Sequence, residues 1–195
     1  MSAIQVLNLL EVAGNQELEP LAAALIREFS CPRNAEVESF LKLRALDFAR
    51  KKSSVSYLVL DGENRLLGYF TLAHKNLCIK AECLSKNRQR RLRNCCGNDD
   101  GNGVFNVSAF LIAQLGKNFA LSPQEGIAGD ALLRLAMRKL CEAQLLVGGG
   151  VVFLECEDRE KLLAFYRREP NCFEPIGERV AQDDCTKYLQ LMRFL

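Results

Sequence analysis

The stretch that decides the fold runs from Asn106 to Val147 and reads NVSAFLIAQLGKNFALSPQEGIAGDALLRLAMRKLCEAQLLV. Its first ten residues, Asn106 to Leu115, are mostly apolar and lack helical spacing, which predicts a strand buried on both faces. A loop through Gly116-Lys117-Asn118, broken by Pro123, leads to a helix that opens over Gln124 to Asp130. Spacings of three and four then mark one buried stripe, made of Leu132, Ala136, Leu140, Ala143 and Val147.

A strand, a glycine-bearing turn and a helix together present backbone N–H groups and a positive helix end to a phosphate. The Rossmann fingerprint G-x-G-x-x-G is incomplete here, because Gln124 stands at its first glycine and only Gly126 and Gly129 remain. A Walker A loop is also excluded, since Leu111 stands where its first glycine belongs, five residues before Gly116. The glycines could also serve only to close a tight start of the helix, and this alternative stays open.

Length and composition predict one globular domain that spans residues 1–195. A chain of this length buries a full core, and 26% charged and 49% hydrophobic residues are ordinary values for a globular protein. No apolar run reaches the roughly 18 residues of a membrane span, and the N-terminus lacks a basic segment before an apolar one. We therefore expect a cytoplasmic protein that does not bind a membrane.

The nine cysteines predict reduced thiols, because their number is odd and Cys95 and Cys96 are adjacent. Zinc is the alternative, since Cys78, Cys83, Cys95 and Cys96 lie close together in the sequence. Their spacing contains no C-x-x-C pair, and adjacent ligands fit a tetrahedral site poorly. We expect no metal.

The small net charge of +2 conceals a basic segment. Between Lys80 and Arg93 there are six basic residues and one acid, Glu82, so that the segment carries +5 and the rest of the chain −3. Such a cluster is typical either of a nucleic-acid contact or of a solvated helix face, and both interpretations stay open.

The other segments predict a regular order of helices and strands. A first strand lies within Ile4–Val12, and two helices follow, one from Pro20 and one capped by Asn34. Then come a hairpin, an irregular basic insertion at about 75–104, the central strand and helix, a buried strand, a short helix that begins near Asp158, and two closing strands around Asp183-Asp184. The hairpin strands cover 57–60 and 65–73, the buried strand 151–156, and the closing strands start at Cys172 and Lys187.

Two groups of residues resemble the GNAT N-acetyltransferase superfamily. Gln124 and Gly129 match the ends of its acyl-CoA pattern, which is Gln or Arg, two residues, Gly, one residue, then Gly or Ala, although Ile127 stands at the first glycine. A second match lies downstream. The segment 155–158 and the pair Phe165-Tyr166 look like the family's last strand and the end of its last helix. Cys172-Phe173 follows where the family usually has a Gly-Phe step. The resemblance, to a bacterial-type stand-alone domain, implies a three-layer α+β fold whose mixed, mostly antiparallel sheet carries helices on both faces.

The resemblance also implies site residues. Pantetheine would bind backbone groups of the central strand, and the pyrophosphate would bind N–H groups at the start of the helix. Tyr166 matches the family's general acid, which protonates the CoA thiolate. No carboxylate lies between Asn106 and Leu115, so Glu155 is the first candidate for the base and His74 the second. The implied acetyl-CoA-binding residues are Ala113, Gln114, Leu115, Gln124, Glu125, Gly126, Ile127, Ala128, Gly129 and Asp130.

The implied activity is transfer of an acetyl group from acetyl-CoA to a primary amine by direct attack. The acceptor could be a small amine, a protein amino group, or the amino acid on a charged tRNA, as in toxin members of the superfamily. A catalytically degenerate domain that acts as a binding module is a further alternative, and a homodimer stays open. In the tRNA alternative, phosphates would be contacted by Lys86, Arg88, Arg90, Arg91 and Arg93.

Overall fold

The structure is a computed structural model that describes residues 4–180 and 187–195. Seven strands in this part form one sheet with the order β1-β2-β3-β4-β5-β7-β6. β4 and β5 run parallel, whereas β1–β2, β2–β3, β5–β7 and β6–β7 are antiparallel, which confirms the mixed, mostly antiparallel sheet. The elements are β1 (Gln5–Asn8), α1 (Leu9–Val12), α2 (Leu18–Arg27), α3 (Ala35–Leu43), α4 (Ala45–Arg50), β2 (Val55–Leu60), β3 (Leu66–Lys80), α5 (Lys86–Cys96), β4 (Val104–Lys117), α6 (Gly129–Val147), β5 (Val151–Glu157), α7 (Glu160–Arg167), β6 (Glu174–Val180) and β7 (Lys187–Phe194).

The chain forms two compact units. The first contains residues 1–73 and 113–139, and the second contains 74–112 and 140–195. In the first unit, apolar side chains of α1 to α4, such as Leu9 and Leu41, pack with Leu58 of β2 and Tyr69 of β3. Each helix thus buries one apolar stripe against this part of the sheet.

In the second unit, α5 packs on strand residues. Leu92 of α5 is fully buried with Phe105 of β4 and Phe153 of β5. The parallel pairing of β4 with β5 runs from Phe110 opposite Val152 to Ile112 opposite Leu154. None of the helices within 4–180 and 187–195 has the length and apolar character of a membrane span.

The first predicted elements differ in their ends. The first strand stops at Asn8, because the Asn8 side chain accepts a hydrogen bond from the Leu10 N–H (2.9 Å) and starts α1. α2 begins at Leu18 and not at Pro20, since the Asn15 side chain accepts the Leu18 N–H. Asn34 does cap α3, through a bond from the Val37 N–H (3.1 Å).

The prediction of an irregular segment at about 75–104 is wrong in its local structure. β3 continues to Lys80, and after a short 3-10 turn the basic run forms α5. Ser85 caps this helix by accepting the Arg88 N–H. The Gln89 amide, which donates to the carbonyl oxygens of Ala81 and Leu84, holds it to the preceding turn.

The predicted central strand and helix are present as β4 and α6, but some of their side chains are more exposed than predicted. Asn106 and Ser108 of β4 are exposed while Phe105 and Val107 are buried, so the first half of β4 is covered on one face only. In α6, Leu132, Ala136 and Leu140 are buried as predicted, whereas Val147 at the end of the stripe is 73% exposed. The closing strands β6 and β7 are present, and Asp183-Asp184 lies outside the described residues.

Candidate functional site

The loop before α6 forms a tight turn at Ser122. The Ser122 hydroxyl donates to Glu125 Oε2 (2.6 Å), and the Ser122 carbonyl accepts the Gly126 N–H (3.0 Å). The Gly126 amide, which the sequence assigns to a pyrophosphate, therefore already has an acceptor. The neighbouring Ile127 is 5% exposed, so its side chain belongs to the protein interior.

α6 begins at Gly129, three residues after the turn. The Leu132 N–H donates to the Ala128 carbonyl (3.0 Å), which is the normal bond of a helix at its fourth residue. The amides of Gly129 and Ala131 lie ahead of that bond, at positions where a helix supplies no intrahelical acceptor. Together with the positive end of a 19-residue helix, they form a site suited to a phosphate group.

Arg65 fixes this loop to the β2–β3 turn, which sequence reasoning missed. Its Nη1 donates to Glu125 Oε1 (2.8 Å) and its Nε donates to Asp61 Oδ2 (2.8 Å). The Ser122 hydroxyl and Arg65 hold the pKa of Glu125 below its ordinary value. Burial would raise the pKa of Asp61, but hydrogen bonds from the backbone and guanidinium of Arg65 hold it below its ordinary value.

Asn118 anchors the other end of the loop and was also missed. Its side chain is buried, accepts the N–H groups of Ser30 (3.0 Å) and Ala120 (3.0 Å), and donates to the Leu66 carbonyl (2.8 Å). Its own N–H donates to the Leu67 carbonyl (2.9 Å). Only its position directly after an apolar strand distinguishes it in the sequence.

The predicted pantetheine strand, Ala113 to Leu115, lies near the end of β4 and is half-buried. The backbones of β3 and β4 approach closely beside it, because a Cβ on Gly68 would lie 2.6 Å from the Gly116 carbonyl oxygen. A side chain at Gly68 is therefore excluded. The role of these backbone groups in binding stays a prediction.

Tyr166 is a buried residue of α7. The residue is 9% exposed, and its ring packs against Phe165 and Phe173 at centroid distances of 4.9 and 6.0 Å. Burial, and secondarily Cys156, raises the pKa of Tyr166 and keeps it protonated.

Glu155 is held by two neighbours. Arg179 donates to its Oε2 (2.8 Å and 2.7 Å), and Gln190 donates to its Oε1 (2.9 Å). The residue lines a cavity of about 320 Å³ that also contains Lys75 and Phe153. His74, the second candidate, lines a different cavity, with its Nε2 3.2 Å from Ser108 Oγ.

The basic residues of α5 divide into two groups. Arg88 pairs with Glu174 (2.7 Å), Arg91 lies 3.9 Å over the Phe194 ring, and Arg93 lies 5.7 Å over the Phe105 ring. Lys86 and Arg90 are exposed, lie one helical turn apart, and have no ion-pair partner among the described residues.

Across 4–180 and 187–195, no three His, Cys, Asp or Glu side chains come together as a metal site. The eight cysteines in these ranges are free thiols, including Cys78, Cys83, Cys95 and Cys96.

Solved structures resemble the whole chain. AtaT complexed with acetyl-methionyl-tRNAfMet has a TM-score of 0.63 at 21% identity over 95% of this chain and 94% of that chain. A tyrosine-to-phenylalanine mutant of KacT has a TM-score of 0.64 at 21% identity, over 100% and 95%. A mutant AtaT toxin bound to the C-terminus of the antitoxin AtaR and acetyl-CoA has a TM-score of 0.59 at 19% identity, over 98% and 93%. No protein-family model and no curated protein matches the sequence. The likenesses confirm the predicted GNAT-type α+β fold.

Proposed function

We propose that the chain is a single bacterial-type GNAT domain, residues 1–195, which transfers an acetyl group from acetyl-CoA to a primary amine in the cytoplasm. The state of Tyr166 is the observation that carries this proposal, since burial keeps its phenol protonated at neutral pH and therefore available as a proton donor. The first turn of α6 supplies a phosphate site. Structures of similar fold that contain acetyl-CoA support the choice of cosubstrate.

In the proposed reaction, the neutral amine nitrogen attacks the thioester carbonyl carbon of acetyl-CoA. The new C–N bond forms as the C–S bond breaks, and Tyr166 donates its hydroxyl proton to the departing sulfur. The surplus proton on nitrogen passes to Glu155 or to water, and Tyr166 regains a proton from solvent. The N–H groups of 129–131 hold the pyrophosphate, while Ala113 to Leu115 bond the pantetheine like an added strand.

Binding of acetyl-CoA is the first test. At 100 times its Kd, the cosubstrate should stabilise the protein by about 2.7 kcal/mol, which for a domain of this size raises Tm by about 5–10 °C. Gly129→Glu should abolish the shift, because it places a negative charge at the site of the pyrophosphate. Gly129→Ala, which adds a methyl group without charge, is the matched control and should retain most of it. An unchanged Tm of the wild-type protein at millimolar acetyl-CoA would contradict the proposal.

Turnover is the second test. Tyr166→Phe keeps the buried ring and removes the proton, so kcat should fall by about 10² to 10⁴ while the Kd for acetyl-CoA holds. A wild-type rate for this variant would show that Tyr166 only packs. Binding of acetyl-CoA without turnover on any amine would favour the degenerate binding module.

A charged tRNA is the acceptor that the structure favours among the alternatives. The specific observation is that Lys86 and Arg90 stand exposed and unpaired, among the described residues, on an ordered helix. The similar fold of AtaT complexed with acetyl-methionyl-tRNAfMet supports the same choice. We propose that phosphates contact Lys86 and Arg90 first, with Arg88, Arg91 and Arg93 adding positive charge.

Salt dependence tests this acceptor. Lys86→Ala with Arg90→Ala should weaken tRNA binding and reduce the slope of log K against log salt by up to about two, since each phosphate contact contributes up to about one. Arg44→Ala with Lys52→Ala removes the same charge from two other exposed positions and is the control. If the two double variants have equal effects, α5 influences RNA binding only through the net charge of the protein. The acceptor would then be a small amine or a protein amino group.

A further inference from the structure

The second unit has a polar sheet face whose side chains are exposed within the described residues. It lies where the end of β3 pairs with the start of β4, and its side chains alternate with buried ones such as Leu77 and Val107. Two cross-strand contacts order it: Cys78 Sγ donates to Asn106 Oδ1 (3.2 Å), and Ser108 Oγ lies 3.2 Å from His74 Nε2. The exposed set is His74, Asn76, Cys78, Asn106 and Ser108.

A cavity of about 660 Å³ adjoins this face, within the range of small-ligand sites. Its floor is the backbone of Gly148 to Gly150, and Phe110 and Cys95 line its walls. The glycines are required by space: a Cβ at Gly149 would lie 2.8 Å from Phe110 Cε2, and one at Gly150 would lie 3.0 Å from Cys95 Sγ.

The cavity combines a flat ring with polar groups. The exposed His74 ring stands edge-to-face on buried Phe110, at 5.5 Å and 75°, and Ser108 holds its Nε2 side, so the ring has a fixed orientation. The Asn106 amide supplies hydrogen-bond donors, and none of the side chains that line the cavity is a carboxylate. These are the groups that proteins use to stack and bond an unpaired base.

Arg91 is linked to the cavity through neighbouring residues. Arg91 lies one helical turn before Cys95, and its guanidinium covers the Phe194 ring at 3.9 Å. The next residue, Leu195, donates its N–H to the carbonyl of Gly150 on the cavity floor (3.1 Å). Arg91 is therefore the nearby cation that we assign to a phosphate joined to a base in the cavity.

We propose that this cavity binds one unpaired nucleotide of the RNA acceptor, with its base stacked on His74, its edge bonded by Asn106 and Ser108, and its phosphate facing Arg91. The proposal rests on the tRNA acceptor proposed above and assigns it a second contact, separate from Lys86 and Arg90. A free mononucleotide carries the same chemistry, so the test includes both sources.

The test uses the full chain and a short single-stranded RNA with 2-aminopurine at its 3′ end, whose fluorescence falls when the base stacks. His74→Ala should weaken binding by at least about fivefold and abolish the quenching, because one stacked base contributes about 1–3 kcal/mol. His74→Phe keeps a ring and should restore both. A fully paired RNA duplex should bind wild type and His74→Ala equally. Gln5→Ala, at an exposed strand position of the first unit, is the control.

Several results would overturn the inference. One such result is a His74→Ala variant whose RNA affinity and fluorescence quenching equal those of the wild type. Another is a variant that loses affinity for AMP but not for RNA, which would assign the cavity to a free nucleotide. A dimer in solution that protects His74 from modification would assign the face to a second copy, through the exposed Leu145, Leu146 and Val147. Absence of RNA binding in wild-type protein that still shows the acetyl-CoA shift would remove this inference and the RNA acceptor, but not the acetyltransferase.

Discussion

Replacing Asn118 with Ala should strongly destabilise the fold and loosen the phosphate loop. The Asn118 side chain is 5% exposed and makes three hydrogen bonds, all to backbone groups. Each bond contributes about 1 kcal/mol, and leaving its partner buried and unpaired adds to the loss. We therefore expect a destabilisation of at least about 3 kcal/mol, which lowers Tm by about 6–12 °C in a domain of this size.

The measurement is thermal and urea denaturation of the variant beside Asn94→Ala, which removes an exposed amide on α5 and should change Tm little. Acetyl-CoA affinity should also fall in the Asn118 variant, because the loop from Asn118 to Gly129 leads to the proposed phosphate site. A Tm loss equal to that of the control would refute the reasoning.

Asn118→Asp sharpens the test through its pH dependence. A buried Asp beside the Leu66 carbonyl should have a raised pKa, and its protonated form can donate the bond that the amide made. A raised pKa in the folded state stabilises at low pH, and that stability is lost as pH rises through the folded pKa. The deficit of this variant relative to wild type should therefore be smaller at pH 5 than at pH 8. A deficit that is constant with pH would argue against the bond to Leu66.

Three further perturbations test the core and the proposed acid. Gly116→Ala should cost about 1–3 kcal/mol in urea denaturation, because its Cβ would lie 2.5 Å from Val37 Cγ1 and 2.9 Å from Tyr69 Cε1, and a loss below 0.5 kcal/mol would contradict the packing. Cys172 has φ +53°, where a Cβ lies too close to the following carbonyl oxygen. Cys172→Gly removes the Cβ and should be about 1 kcal/mol more stable than Cys172→Ala, which keeps it. Equal Tm values of the two variants would exclude backbone strain at this position. Since burial raises the pKa of Tyr166, kcat should not fall near pH 10, where an ordinary phenol ionises, and a fall there that Tyr166→Phe abolishes would contradict the burial effect.

The elements that the sequence predicted well are those with a local cause. The strand and helix between 106 and 147 follow from apolar spacing, and the α3 cap follows from the position of Asn34, whose side chain needs only a donor three residues ahead.

The features that the sequence did not reveal depend on distant partners. Asn118 bonds to Ser30 and Leu66, and Arg65 bonds to Glu125, which lies 60 residues away. Spacing along the chain carries no information about such pairs. Burial of β4 was overestimated because the apolar run predicts two covered faces. In the structure α5 covers the face of Phe105 and Val107, while Asn106 and Ser108 on the other face are exposed.

The glycine pattern shows how geometry reassigns a motif. Ile127 stands at the place of the motif's first glycine and Gly126 one residue before it, and the sequence alone gives both to the phosphate. In the folded chain Ser122 takes the Gly126 N–H, and Ile127 is buried, so this half of the motif closes the turn. Gly129, the motif's last position, starts α6 and keeps its N–H ahead of the first helical bond. A side chain is tolerated at the first glycine because Ile127 packs into the interior, while Ser122 and Glu125 hold the turn.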